Sequence, residues 1–365
     1  MKIAEVVFFL ESMAHLSLQE HYDNSGLLTG DPDHDCKGII VSLDATEEVI
    51  NEAIAMKSNL IIAHHPIIFG GLKKINGKNY VEKAIITALK NDIAIYAIHT
   101  NLDNVIDGVN GRIATMLGLQ GISILSNKEN SLKKLFTFAP VSMAEQVRNA
   151  IFEAGGGQIG NYSECSFNVE GTGTFKGDQS TNPYVGKAGI RHHEQEIKIE
   201  VIFPAWLESR IIQALIAAHP YEETAFDIVN LVNNHSRLGS GVIGELAVPA
   251  DETSFLNRIK EVFMVPVIRH TSLRNHPVKK VAVCGGAGSF LISKALNSGA
   301  DFYITADVKY HEFFDANGRM VIADIGHFES EQFTINLLQE VLEKKFPTFA
   351  VLKTGINTNP VRYFI

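Results

Sequence analysis

His64 and His65 stand side by side at the end of an apolar run, Asn59-Leu60-Ile61-Ile62-Ala63, with Pro66 directly after them. Imidazole is the commonest metal-binding side chain, and two in succession where a strand leaves its sheet can diverge toward two ions. Pro66 disfavours the helical region for His65, so the chain stays extended as it exits. An isolated pair is more often one hydrogen-bonded core histidine beside one exposed one. Here further ligand-type residues accompany it. His99-Thr100-Asn101-Leu102-Asp103 closes a second apolar run, and His327 and Glu331 lie four residues apart near the C-terminus. At i, i+4 across a helix start, two side chains share one face, and a glutamate there can bridge two ions through its two oxygens. Neutral imidazoles with carboxylates suit zinc first, with manganese, iron or nickel as alternatives. Two such ions lower the pKa of a water and polarise the bond it attacks, which is the chemistry of a metal-dependent hydrolase.

Each residue also has an ordinary structural reading. Asp103 shares its loop with Asn101, Asn104, Asp107 and Asn110, and alone it reads as a turn or helix-capping residue. Glu331 alone reads as a first-turn glutamate favoured by the helix dipole, and Glu329 competes with it, although the spacing to His327 favours Glu331. His99, His311 or Glu329 could handle protons, and the sequence does not choose among them. The glycines of Gly285-Gly286-Ala287-Gly288-Ser289 could receive an anion on backbone N–H groups, but their spacing matches neither common phosphate loop, and a tight strand-to-helix turn explains them better. His192, His193 and His219 lie far along the chain from these carboxylates and read as surface or turn residues.

The elements that must position these residues follow an α/β pattern. Strands are expected at 38–43, 60–63 and 93–98, separated by helices beginning after Thr46 and at Asn79. Thr46 is a good N-cap, with Glu47 and Glu48 in the first turn and Val49, Ile50, Ala53 and Ile54 on one face. His64, His65 and Asp103 therefore follow the carboxyl ends of strands, the edge where open α/β sheets bind ligands. A second succession starts near Val278, with strands at 280–284 and 301–305 around a helix carrying Leu291, Ile292, Ala295 and Leu296, and then Val321-Ile322-Ala323-Asp324 running into His327. The order strand, helix, strand, histidine in both halves points to a two-lobed core.

Between about 131 and 232 the texture changes to strands at 135–139, 167–174, 197–203 and 224–231, with helices at 143–154 and 207–218. This reads as an inserted α+β domain, dividing the chain into a first lobe at 1–130, the insertion at 131–232 and a second lobe at 233–365, with 233–244 as the returning linker. A chain of 365 residues, 45% hydrophobic and 20% charged, fits such a multidomain globular protein. A net charge of -9 with no basic stripe argues against a nucleic-acid partner. Cys36, Cys165 and Cys284 are scattered and unpaired, which fits a reducing compartment, and no run is long enough for a membrane span. Glu5 and Glu11 flank Val6–Leu10 in a way that does not suit a signal peptide. A cytoplasmic location is expected.

Tyr22-Asp23-Asn24-Ser25-Gly26-Leu27-Leu28, His64-His65-Pro66, His99–Asp103, Val283–Gly288, Asp307-Val308-Lys309-Tyr310-His311 and Gly326–Glu331 together resemble the Nif-three-like family, the GTP cyclohydrolase 1 type 2 homologues, over almost the whole chain and in the same order. The resemblance implies a two-lobed core with mixed and parallel sheets. It also implies two divalent ions per chain at His64, His65, Asp103, His327 and Glu331, with Glu331 bridging, His65 and Asp103 on one ion, and His64 and His327 on the other. The long bacterial form of this family carries an inserted domain resembling PII and CutA, and Ala218-His219-Pro220-Tyr221-Glu222-Glu223-Thr224 matches its characteristic segment. Homohexameric rings enclosing the metal sites are implied as well, and the apolar Phe349-Ala350-Val351-Leu352 offers a surface for assembly. Arg237–Leu246 departs from the family's more compact glycine-rich run. The expected function is a metal-dependent hydrolase of a nucleotide or other small anionic molecule. The rival is a metal-handling or regulatory protein without turnover, its inserted domain reading a small ligand.

Overall fold

The computed structural model describes residues 1–364. The chain forms two compact units, one made of Met1–Asn127 with the chain from Arg237 onward, the other of Lys128–Ser236. Among the described residues no helix is long and apolar enough to cross a membrane.

The first unit holds two sheets. In the five-stranded sheet the order is Gly26–Thr29, Ala94–Ala97, Leu60–Ala63, Ile39–Ser42 and Val351–Lys353; all neighbours run parallel except the antiparallel edge strand Gly26–Thr29. Strands 39–42, 60–63 and 94–97 are buried at every position, which is why each reads as an uninterrupted apolar run. Their alternate side chains go to different cores. Ile39, Val41, Leu60, Ile62 and Tyr96 join one cluster, whereas Ile40, Ile61, Ala63 and Ile95 pack beneath helices Glu47–Ala55 and Tyr80–Lys90. Both helices start where their capping residues dictate: the Thr46 hydroxyl accepts from the Val49 N–H and the Asn79 side chain from the Glu82 N–H.

The six-stranded sheet runs Arg269–His270, Val321–Asp324, Phe302–Ala306, Val278–Ala287, Gly239–Ala250, Leu119–Asn127, with parallel pairing among 278–287, 302–306 and 321–324 and antiparallel pairing outside them. Val281, Val283, Phe302, Ile304, Val321 and Ala323 point into the same cluster as Ile39 and Leu60, together with helices Ile3–Met13, Glu252–Phe263 and Thr334–Lys345. One large core thus ties the sheets together. They also exchange strands: 119–127 lies in the sheet of the C-terminal half and 351–353 in that of the N-terminal half.

One expectation is corrected. From Gly239 on, the supposed linker is a central strand that pairs on both sides. Its glycines disguised it: a Cβ on Gly239 would fall 2.1 Å from the Ser126 carbonyl oxygen, so the closeness of the neighbouring strand requires glycine there. In the apolar 349–352 segment Val351 is buried in an edge strand and Phe349 packs on the main core, while Ala350 and Leu352 are exposed.

The second unit, Lys128–Ser236, runs strand Leu132–Pro140, helix Ala144–Glu153, strands Phe167–Phe175 and His192–Pro204, helix Glu208–Ala218 and strand Phe226–Asn230. Its antiparallel sheet has the order 167–175, 192–204, 132–140, 226–230, a split β-α-β arrangement. Leu135, Ile199, Val201 and Phe203 meet Val147, Ile151, Ile211 and Leu215 of the two helices, giving this unit its own core.

Candidate metal centre

Parallel strands end together at one edge of each sheet in the first unit, and the chemistry gathers there. Asp44 follows strand 39–42, His64 and His65 follow 60–63, and His99 follows 94–97. Asp307 follows strand 302–306, and His327 opens a short helix, His327–Glu331, after strand 321–324. The short helix Thr100–Asp103 carries Asp103 inward from His99.

All five expected ligands meet. The His65 Nε2 lies 2.9 Å from the Glu331 Oε2 and 3.3 Å from the His327 Nε2, which itself lies 3.1 Å from the Glu331 Oε2. On the other side of the same carboxylate, the His64 Nε2 is 3.8 Å from both the Glu331 Oε1 and the Asp103 Oδ1. The donor atoms form three overlapping groups: two share Glu331, His65 with His327 and His64 with Asp103, and the third is His64, His65 and His99. Successive residues at the strand end point to opposite sides. His64 turns inward, fully buried, toward Asp103, while half-buried His65 turns toward Asp44 and His327.

Every imidazole in the two groups that share Glu331 is aimed by a bond at its other nitrogen. The His64 Nδ1–H donates to the Ile98 carbonyl at 2.8 Å, the His65 Nδ1–H to Asp44 at 2.8 Å and the His327 Nδ1–H to Asp307 at 2.7 Å. All three Nε2 atoms are left facing the centre, an arrangement common around metals. Asp307 achieves this from a left-handed backbone conformation, φ 54°. Glycines make room on the remaining side. A Cβ on Gly286, whose φ is 62°, would sit 2.3 Å from the Glu331 Oε1. The glycine run at 285–288 thus admits the Glu331 carboxylate to the centre, a role the anion-loop and tight-turn readings both missed.

The electrostatics mark the cluster as short of cations. Burial pushes the Asp103 carboxyl up, and the Glu331 charge adds to it, to about 7. Burial alone would lower the histidines, but Asp44 and Glu331 outweigh it and raise His65 to about 10, while Glu331 and Asp307 raise His327 to about 9. Glu331 is held well below the ordinary carboxylate range: burial opposes this, but hydrogen bonding to His327 and the neighbouring imidazoles prevails. Among the described residues the buried His64 Nε2 and Asp103 Oδ1 have no hydrogen-bond partner. Two such atoms 3.8 Å apart are too far for a hydrogen bond, yet each is within reach of one ion between them at the ~2 Å bond lengths of zinc with nitrogen and oxygen.

His99 stands against the cluster, its ring 5.3 Å from that of His64 and 5.4 Å from that of His65. Its Nδ1–H donates to Asp23 at 2.7 Å, and Thr100 donates to the same carboxylate through its N–H and its hydroxyl. Burial disfavours the Asp23 charge, but these bonds overcome it and hold the carboxyl far below its usual range. His311 is exposed and stacks on Phe314, away from the cluster. Glu329 is buried and accepts from the Asn359 side chain at 3.0 Å. Neither is a member of the donor groups. Asp23, Asp44 and Asp307 were not singled out from the sequence, although Asp44 and Asp307 share the signal used for the histidines, a polar residue just past an apolar strand.

A cavity of about 770 Å³ opens over the cluster, walled by the exposed rings of Tyr22, Phe69, Tyr80 and Phe290. Among the described residues that line it there is no lysine or arginine.

The family model described as Duf34/NIF3 (NGG1p interacting factor 3) matches residues 1–360. A GTP cyclohydrolase 1 type 2 homolog from Halalkalibacterium halodurans is 39% identical over 100% of both chains, and one from Bacillus subtilis is 36% identical over 98% of each. The crystal structure of a Bacillus cereus protein related to NIF3 matches with a TM-score of 0.85 at 38% identity, covering 100% of this chain and 99% of that one.

Proposed function

The chain belongs to the Duf34/NIF3 family, and on that premise we propose that it is a dinuclear metal protein acting as a metal-dependent hydrolase on a nucleotide or other small anionic molecule. The observation that carries the metal reading is the pair of orphaned buried atoms, His64 Nε2 and Asp103 Oδ1, beside a carboxylate shared with His65 and His327. In this reading His64, His65, Asp103, His327 and Glu331 would hold the ions. Such ions supply water activation near neutral pH and polarisation of the bond under attack.

The chain's own residues have distinct parts. Asp23 fixes the His99 tautomer with the proton on Nδ1, so the Nε2 is free to accept or return a proton beside the cluster. Tyr22, Phe69, Tyr80 and Phe290 offer flat apolar faces for a heterocyclic base. With no lysine or arginine among the described residues that line the cavity, the cluster itself supplies the positive charge an anionic substrate would meet, which places the substrate's charged group against the histidines. Assembly into a homohexamer belongs to the same proposal and rests on the family resemblance.

The test is reconstitution with zinc or manganese, followed by elemental analysis and a nucleotide screen that includes GTP, with products resolved by chromatography. Two ions per chain and turnover are expected. His99→Asn should keep the metal content and lower turnover by about a hundredfold or more. Full metal content without turnover on any nucleotide would favour the metal-handling alternative, and protein that takes up no ion would overturn the metal reading.

A further inference from the structure

The inserted unit contains a second cavity, of about 640 Å³, the size of a small-molecule site. It lies between strands 167–175 and 192–204, the loop that joins them and the segment after helix 208–218. Glu196 is at its base. Only 7% of this residue is exposed, and its Oε1 accepts from the Tyr221 hydroxyl at 2.7 Å. Among the described residues no side chain donates to its Oε2. A Cβ on Gly173 would sit 2.0 Å from that oxygen, so the glycine is what allows the carboxylate to rest there.

The surroundings are held in place. The His219 Nε2–H donates to the Phe138 carbonyl at 2.9 Å, and its Nδ1 accepts from the Tyr221 N–H at 3.2 Å. His219, expected as a surface or turn residue, is a buried strut at the turn that leads into the Tyr221 segment. Phe175 and Tyr184 stand around Tyr221, with ring centroids 5.9 and 6.2 Å from it.

The charge is one-sided. Glu170, Glu222 and Glu223 also line the cavity. Of the two lysines there, Lys198 is engaged by Glu200 at 2.8 Å and lies over the Phe136 ring, leaving Lys176. A buried carboxylate with one hydrogen bond is an incompletely compensated charge. Aromatic rings beside it favour a cation that is itself apolar over most of its surface. Among the described residues no three metal-binding atoms converge here, which argues against a bare ion.

We propose that this cavity binds an organic cation, a small molecule with an ammonium or amidinium group on a flat or apolar body. Its N–H groups donate to the free Glu196 oxygen, and Tyr184, Tyr221 and Phe175 enclose its body. The site is independent of the metal centre and of the hydrolase reading.

Benzamidine, benzamide and benzoate form a matched cationic, neutral and anionic series for the test, titrated into the full chain and followed by calorimetry and ligand-detected NMR. Benzamidine is expected to bind in the millimolar range or tighter, at least about tenfold better than benzamide, with benzoate unbound. Glu196→Gln, which keeps the shape and removes the charge, should weaken benzamidine about tenfold or more at an unchanged unfolding midpoint. Should that variant be misfolded, Tyr184→Ala removes an exposed ring, and a severalfold loss of affinity is expected from it. No binding of benzamidine at millimolar concentration, equal binding of benzamide, or affinity indifferent to the folded variants would overturn the proposal.

Discussion

Strand Leu60–Ala63 is buried at every position, whereas strand Phe167–Phe175 has no buried residue at all. The first lies inside a parallel sheet with a core on each face; the second is an edge strand of an antiparallel sheet. The contrast bears on where chemistry can be placed. In that sheet no interior position of a strand hosts a charge, so His64, His65, His99 and Asp44 stand just past its strand ends, and Asp307 stands just past a strand end of the other sheet. In the inserted unit, Glu196 lies within a strand, where a polar residue at alternate positions is ordinary.

The largest effect expected from this contrast is at His64. Replacing it by alanine removes a ligand-type atom and leaves the Ile98 carbonyl without its partner inside a two-sided core. His64→Ala should lose at least one ion per chain, lower any turnover about a hundredfold or more and cost about 2–4 kcal/mol of stability. Elemental analysis and denaturant unfolding measure both. His311→Ala, at an exposed ring, should change neither, and equal metal content in the two variants would remove His64 from the site.

A pair of glycines sharpens the comparison. Gly286 and Gly173 each make room for a buried carboxylate, Glu331 and Glu196 respectively. Only Gly286 also has a positive φ, 62°. Gly286→Ala should therefore cost about 1–3 kcal/mol and reduce metal affinity about 10–100-fold. Gly173→Ala carries no backbone strain and should shift stability by less than about 1 kcal/mol while displacing the Glu196 carboxylate. Comparable destabilisation by both would show that the edge strand is as tightly constrained as the core.

The same contrast decides what could be read in the sequence. Apolar runs with two buried faces announced the strands around 39–42, 60–63 and 321–324 almost to the residue, and the polar residues after them stood out. Which way each ring turns at the strand end did not. Strand 239–250 was hidden by glycines that serve the approach of its neighbours, a tertiary reason invisible along the chain. Glu196 was hidden by its neighbourhood. In His192-His193-Glu194-Gln195-Glu196 it looks like one more surface residue, and the Tyr221 segment and the long hairpin loop that enclose it come from elsewhere in the sequence.

The metal centre should also reveal itself through pH. In metal-free protein His65, His327 and Asp103 have folded-state pKa values raised to about 10, 9 and 7, above ordinary values of 6.5, 6.5 and 3.8. The folded chain then binds more protons than the unfolded one, so stability falls as pH rises. For Asp103 the loss runs from 3.8 to about 7, and for the histidines from 6.5 to about 9 and 10. Glu331, depressed, contributes its stability above its ordinary value of 4.5 and so does not alter this window. Unfolding midpoints of metal-free protein should decline from pH 7 to 10, and ion loading should reverse the decline by taking the place of the protons. A flat profile in the metal-free form would break the link between the buried carboxylates and the histidines.

The smallest effect is expected on the open face of the inserted sheet, and there a null result is informative. Phe167 is 65% exposed and lies outside the second cavity. In an isolated chain Phe167→Ser should change stability by no more than about 0.5 kcal/mol, since exposed positions without partners are nearly neutral. Ile61→Ser, in a two-sided core, should cost several times more, about 3 kcal/mol or above. The proposed homohexamer gives the exposed ring a second possible environment: a copy of the chain seated on it would bury the ring and turn the neutral substitution into a costly one. Light scattering and unfolding, measured together across protein concentration, separate the cases. A hexamer whose stability ignores Phe167→Ser leaves this face in solvent. A hexamer that dissociates or loses more than about 1.5 kcal/mol places the face at a subunit contact, and the edge strand would then be as buried in the assembly as Leu60–Ala63 is in the chain.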